Sequence, residues 1–93
     1  MVKAIDLINT QKKREDNKYK SYYKIYSIIE KKIVLASSSN YYYIWYEVPQ
    51  IILGKLFYNL DECLDYLYNK LIKDGFNVIK HEPNILLITW FPN

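Results

Sequence analysis

Residues 85–91, ILLITWF, are apolar on both faces of any strand they form: Ile85, Leu87 and Phe91 point one way, Leu86, Ile88 and Trp90 the other. A half-solvated strand alternates apolar with polar side chains, so this run suits the central strand of a sheet. Just upstream, Phe76–Lys80 reads as a second strand. The HEPN segment between them carries the Pro83-Asn84 turn signal, which makes the pair a β-hairpin. A third strand is expected at Tyr41–Val48, where β-branched and aromatic residues dominate, and Pro49 closes it because proline cannot donate to a ladder. We expect 41–48 to lie beside 85–91, with the last strand in the middle.

Two helices accompany these strands. Asn59 followed by Glu62 is a capping-box pattern, and the segment after it, LDECLDYLYNKLIKDG, places Leu60, Leu64, Leu67 and Leu71 on one stripe bordered by Cys63. Gly75 stands at the usual C-terminal stop. Asp61, Glu62 and Asp65 near the start, with Lys70 and Lys73 near the end, complement the helix dipole. In residues 18–36, Tyr22, Tyr26, Ile29 and Ile33 recur at i, i+4, i+7 and i+11, again a helical stripe. That helix extends back through NTQKKREDN towards Ile5 and Ile8 as a solvated arm, because residues 12–18 offer no apolar face. SSSN at 37–40 ends it.

The expected architecture is a single small α+β domain of order α-β-α-β-β. A three-stranded, mainly antiparallel sheet packs with a long N-terminal helix and a second helix over residues 18–93, preceded by a polar, basic, helical arm over residues 1–17. With a helix on each side, both faces of the sheet would be covered. The loop PQIILGKLFYN at 49–59 carries apolar residues that must pack somewhere, and Gly54 is free to take positive φ.

Composition agrees with one ordered domain. The chain has 93 residues, 51% of them hydrophobic, with eleven Tyr, which excludes disorder. A single cysteine forbids an intrachain disulfide and fits a reducing compartment. The N-terminal segment lacks the apolar core of a secretory signal, and no run is long and apolar enough to cross a membrane. The expectation is a soluble protein that is not secreted and has no membrane partner.

The inventory of chemistry argues against an enzyme. One His and one Cys cannot supply a His/Cys metal cluster. Cys63 and His81 would make a thiol–imidazole pair only if the fold joined them, and Cys63 reads more simply as a core residue. Asp61, Glu62 and Asp65 are explained by capping and the dipole. With Gly54 and Gly75 the only glycines, no phosphate loop exists. No catalytic, cofactor or metal site is therefore expected.

Two surfaces compete as binding sites. In YYYIWYEVPQ, residues 41–50, Tyr41, Tyr43 and Trp45 share a strand face and would contact either a partner protein or stacked bases. The nearest cations in sequence are Lys55 and Lys80, with Glu47 and Glu82 beside them, and phosphate attraction supplies most non-specific affinity. Protein contact or core packing is the better reading. The second surface is basic. Residues 1–36 hold nine Lys/Arg against four Asp/Glu, whereas residues 37–93 hold four against six. Lys12, Lys13, Arg14, Lys18, Lys20 and Lys24 are the candidates for phosphate contact, and a lone Arg argues against specific base readout.

WYEVP at 45–49, LGKLFYNLDECLDYL at 53–67, LIKDGFNV at 71–78 and EPNILLITW at 82–90 resemble a recurring pattern. It belongs to a family of small uncharacterised proteins of giant viruses, the nucleocytoplasmic large DNA viruses. The resemblance spans roughly residues 13–91 and departs at Lys55-Leu56-Phe57-Tyr58, where a second proline is expected. It implies origin and fold-level kinship, with no established activity. It places the protein in the host cell cytoplasm, the virus factory or the virion. The abundance of Lys, Asn, Ile and Tyr fits an A/T-rich coding genome. The functional expectation is a non-enzymatic interaction module binding a protein partner or itself. The alternative is a weak, sequence-nonspecific nucleic-acid binder using the basic helix.

Overall fold

The computed structural model describes residues 3–55 and 57–92. Leu56 of the KLFY departure and the first two residues of the arm lie outside the described residues. The order of elements is α1 (Ala4–Ser38), β1 (Tyr43–Glu47), α2 (Leu60–Lys73), β2 (Asn77–His81) and β3 (Ile85–Thr89). The three strands form one sheet in the order β1-β3-β2, antiparallel throughout. ILLIT is thus the central strand, as its two apolar faces require.

Both helices end in the same device. After α1, Asn40 takes a left-handed conformation at φ 66°, the Tyr41 N–H donates to Ala36 O at 2.9 Å, and the Asn40 N–H donates to Ser37 O at 3.0 Å. After α2, Gly75 at φ 95° plays the Asn40 part, with the Phe76 N–H donating to Leu71 O and the Gly75 N–H to Ile72 O, each at 3.0 Å. This pairing of bonds satisfies the last carbonyls and turns the chain back toward the sheet. The two serines at 37–38, expected in the turn, belong to the last turn of α1; asparagine's tolerance of positive φ makes the stop.

The start of α2 departs from a complete capping box. The Asn59 side chain accepts from the Glu62 N–H at 3.0 Å, but the Glu62 carboxylate does not return to the Asn59 N–H. It turns to α1, where it accepts from Tyr22 Oη and pairs with Lys18, while the Asn59 N–H donates to the Tyr22 hydroxyl at 3.3 Å. A tertiary tyrosine has replaced the local partner.

The core unites α1 (Tyr22, Ile25, Tyr26, Ile29, Ile33), α2 (Cys63, Leu67, Leu71), Val48 and the β3 residues Leu86 and Ile88. Ile44 and Tyr46 of β1 and Val78 of β2 pack against it. Each fully buried aliphatic or aromatic side chain here contributes about 1.5–3 kcal/mol of transfer free energy. All these strand residues share one parity, so both helices lie on one face of the sheet. The expectation of a covered sheet is therefore corrected: the body has two layers, and the second face is open. α1 and α2 run parallel, with Lys18 and Tyr22 beside Glu62 at one end and Tyr26 bonded to Asp74 at the other.

The loop expectation also needs correction. Ile52 and Tyr58 pack on the core, but Leu53 is 91% exposed and Ile51 and Phe57 are exposed as well. Gly54 does take positive φ, at 79°. α1 is one continuous helix of 35 residues, exposed from Lys3 to Asn17, and it stretches the molecule to 61 × 22 × 19 Å.

Candidate functional site

The open face is built from three cross-strand rows. Tyr43, Thr89 and Asn77 form one, Trp45, Leu87 and Ile79 the middle one, and Glu47, Ile85 and His81 the last. The alternation that buries Ile44 and Tyr46 under the helices necessarily sends Tyr43 and Trp45 outward. Tyr43 is 42% exposed, Trp45 55% and Ile79 52%, while Leu87 and Ile85 are half-buried between them. Tyr41 continues the surface, its ring meeting Tyr43 edge-on at 6.1 Å. The Trp45 indole rests against the His81 imidazole at 5.2 Å.

No Lys or Arg stands in these rows. Lys80 has the other parity and reaches α2, where it pairs with Asp65 at 3.0 Å. The surface is therefore aromatic and aliphatic, with the Glu47 carboxylate at one end, in the row it shares with His81. Such a face can exclude water against another apolar surface; it lacks the cations that hold a phosphate backbone.

The basic candidates are dispersed around α1. Lys18 is engaged by Glu62 at 3.0 Å, and that hydrogen bond raises its pKa. The Glu62 carboxyl is correspondingly lowered, first by Lys18 and then by Tyr22. Arg14 lies over the Phe57 ring at 4.8 Å, a cation–π contact with the loop. Lys12, Lys13, Lys20 and Lys24 are exposed. The charge is uneven even within α1: residues 1–17 hold four cations against three carboxylates, residues 18–36 five against one. The basic surface belongs mostly to the body and not to the arm.

Cys63 and His81 are not brought together. Cys63 is buried between the layers, where burial pushes its thiol pKa up, and His81 is exposed on the far face of the sheet. Among the described residues no three His, Cys, Asp or Glu side chains cluster to hold a metal ion. No helix there is long and apolar enough to cross a membrane.

Sequence reasoning put Tyr41, Tyr43 and Trp45 on one strand face but expected a helix to cover it, and it missed Ile79, Leu87 and His81. Only the β1-β3-β2 register reveals that they share it. It also missed Lys70, whose ammonium lies over the rings of Tyr23, Tyr26 and Tyr66 at 5.6, 5.1 and 5.8 Å. Those rings come from both helices, so no local motif signals the cage.

These features define a small α+β domain with a long helix, a second helix and a three-stranded antiparallel open sheet. The chain belongs to the family of unknown function DUF5759, whose family model matches residues 2–72. The match runs from α1 through β1 into α2. No curated protein and no solved structure matches the chain.

Proposed function

We propose that the chain is a non-enzymatic interaction module that docks a protein partner, or a second copy of itself, through the open face of its sheet. The carrying observation is the exposure of Tyr43 and Trp45 in the same surface as Leu87 and Ile79. Interface cores are enriched in Tyr and Trp and depleted in charge, and this surface has that composition. The resemblance of WYEVP and EPNILLITW to giant-virus proteins, together with the Lys-, Asn-, Ile- and Tyr-rich composition, supports a viral accessory or virion-associated protein. Its place would be the host cytoplasm, the virus factory or the virion.

The test is photocrosslinking from a benzoylphenylalanine placed at Tyr43, with the same probe at exposed Lys12 as control. A discrete adduct from position 43 that disappears with Trp45→Ser, in a chain that keeps its helical signal, supports the reading. Equal adducts from both positions, or none from position 43, would overturn it. Light scattering on the purified chain then distinguishes a second copy from a different protein.

A further inference from the structure

Four lysines of α1 stand in one line. Lys13, Lys20, Lys24 and Lys31 are separated by seven, four and seven residues, so at 100° per residue they project within about 40° of one another. Lys20 and Lys24 each lie two positions from buried Tyr22, and Lys31 lies two positions from both Ile29 and Ile33. The row therefore runs along the back of the helix, away from the core. All four are exposed, and among the described residues the salt bridges are Lys18–Glu62 and Lys80–Asp65, which leave the row out. Asp6 lies on the same line one heptad before Lys13 and sets the row's N-terminal limit.

We propose that this row is a docking rail for the phosphate backbone of a nucleic-acid duplex, bound without regard to sequence. Four ammonium groups spread over about 27 Å of rigid helix suit a stiff polyanion whose charges recur at short, regular intervals. Lysine acts as a point charge, and the one Arg is occupied over Phe57, so the rail lacks the bidentate group that reads guanine. The exposed aromatics of β1 lie on the other side of the body, and the exposed rings nearest the row, Tyr19 and Tyr23, are turned toward α2, against Tyr66 and Lys70, so the row lacks a free stacking platform of the kind that favours single strands. A bilayer surface fits less well. A helix lying in a membrane interface inserts an apolar face; the stripe of α1 from Tyr22 to Ile33 is already buried against α2 and the sheet, and the exposed Ile5, Leu7, Ile8, Ile28, Val34 and Leu35 are spread around the helix and form no single face. This rail is independent of the sheet face and survives if that reading fails.

The rail differs from a diffuse basic patch in which residues matter. Four phosphate contacts give a slope of about −3.6 in log K against log salt, and each contact removed lowers it by about 0.9. The experiment is fluorescence anisotropy of a labelled 20-base-pair duplex titrated with the full chain from 25 to 200 mM salt. Two charge-matched variants accompany it: Lys13/Lys20/Lys24/Lys31→Gln on the row, and Lys12/Lys32/Lys55/Lys73→Gln off it. Each takes the net charge from +3 to −1 by removing four exposed lysines. The expected result is a dissociation constant below about 100 μM at 25 mM salt that weakens steeply as salt rises. The row variant should lose more than thirtyfold and most of the slope, and the off-row variant less than fivefold. Equal losses from the two variants would overturn the rail. So would tighter binding to single strands, binding to phosphatidylserine vesicles without duplex binding, or no duplex binding below about 100 μM at 25 mM salt.

Discussion

Asn84 holds Val48 from both sides: its Nδ2 donates to the Val48 carbonyl at 2.7 Å, and the Val48 N–H donates to the Asn84 carbonyl at 2.8 Å. Both residues are buried. The pair joins the end of β1 to the β2–β3 hairpin turn, so WYEVP and EPNILLITW, distant in sequence, meet as one joint. Removing the amide would strand a buried carbonyl. Asn84→Ala is expected to cost about 1–3 kcal/mol in urea unfolding, with little change in slope. A loss below about 0.5 kcal/mol would show that the backbone bond alone suffices.

The same residue type on opposite faces of the sheet tests the two-layer body. Ile88 is fully buried in the central strand, and Ile79 is 52% exposed on the open face. Ile88→Ala should cost about 2–5 kcal/mol, whereas Ile79→Ala should stay below about 1 kcal/mol. Comparable losses would mean that something covers both faces.

High pH should unfold the protein through its buried tyrosines. Burial raises the Tyr22 pKa from the ordinary 10 to about 12, and burial also raises those of Tyr26 and Tyr58. A phenol whose folded pKa exceeds its unfolded value stabilises the fold below the unfolded pKa, and that stability is lost as pH rises. The window for Tyr22 is therefore pH 10 to 12. Tyrosinate absorbance in that window should rise together with loss of helical ellipticity. A full tyrosine titration with the helix signal intact at pH 12 would contradict it.

Much of this architecture was legible in the chain. The uncommon two-faced apolarity of ILLITWF placed β3 in the centre, and Asn59, Gly75 and the leucine stripe bounded α2. What periodicity does not carry is the side of the sheet each helix takes. Ile85 and Leu87 are as apolar as Leu86 and Ile88, so β3 itself gives no hint that one face stays open. The Tyr22–Glu62 bond was hidden for another reason: Glu62 fits a capping box locally, and a contact 40 residues away outcompetes it. Strand parity put Tyr43 and Trp45 on one face, and both are exposed there.

Lys70 supplies a test of how the two helices are held. Its ammonium shares the rings of Tyr23, Tyr26 and Tyr66, and cation–π contacts of this partly exposed kind contribute about 0.5–1 kcal/mol. Lys70→Met keeps the aliphatic stem and removes the charge, so it should cost about 1 kcal/mol. Lys70→Arg, which also stacks on rings, should cost less than half of that. Equal losses from Met and Arg would assign the contribution to packing of the stem and not to the charge.

Trp45 separates stability from contact. Its side chain is 55% exposed, and its ring touches His81 on the surface instead of the core. Trp45→Ser should therefore lower the unfolding free energy in urea by less than about 1 kcal/mol, the range of surface changes that lose some cross-strand packing. If the open face is the docking surface, the same substitution should weaken partner or self-association by at least tenfold, because central aromatic anchors carry more than about 1.4 kcal/mol. Leu53→Ser, at the most exposed apolar side chain of the loop, is the matched control and should change neither quantity. Weakened binding from Leu53→Ser with none from Trp45→Ser would move the contact from the sheet to the loop. A large stability loss at Trp45 would instead mean that the face is covered within the protein itself.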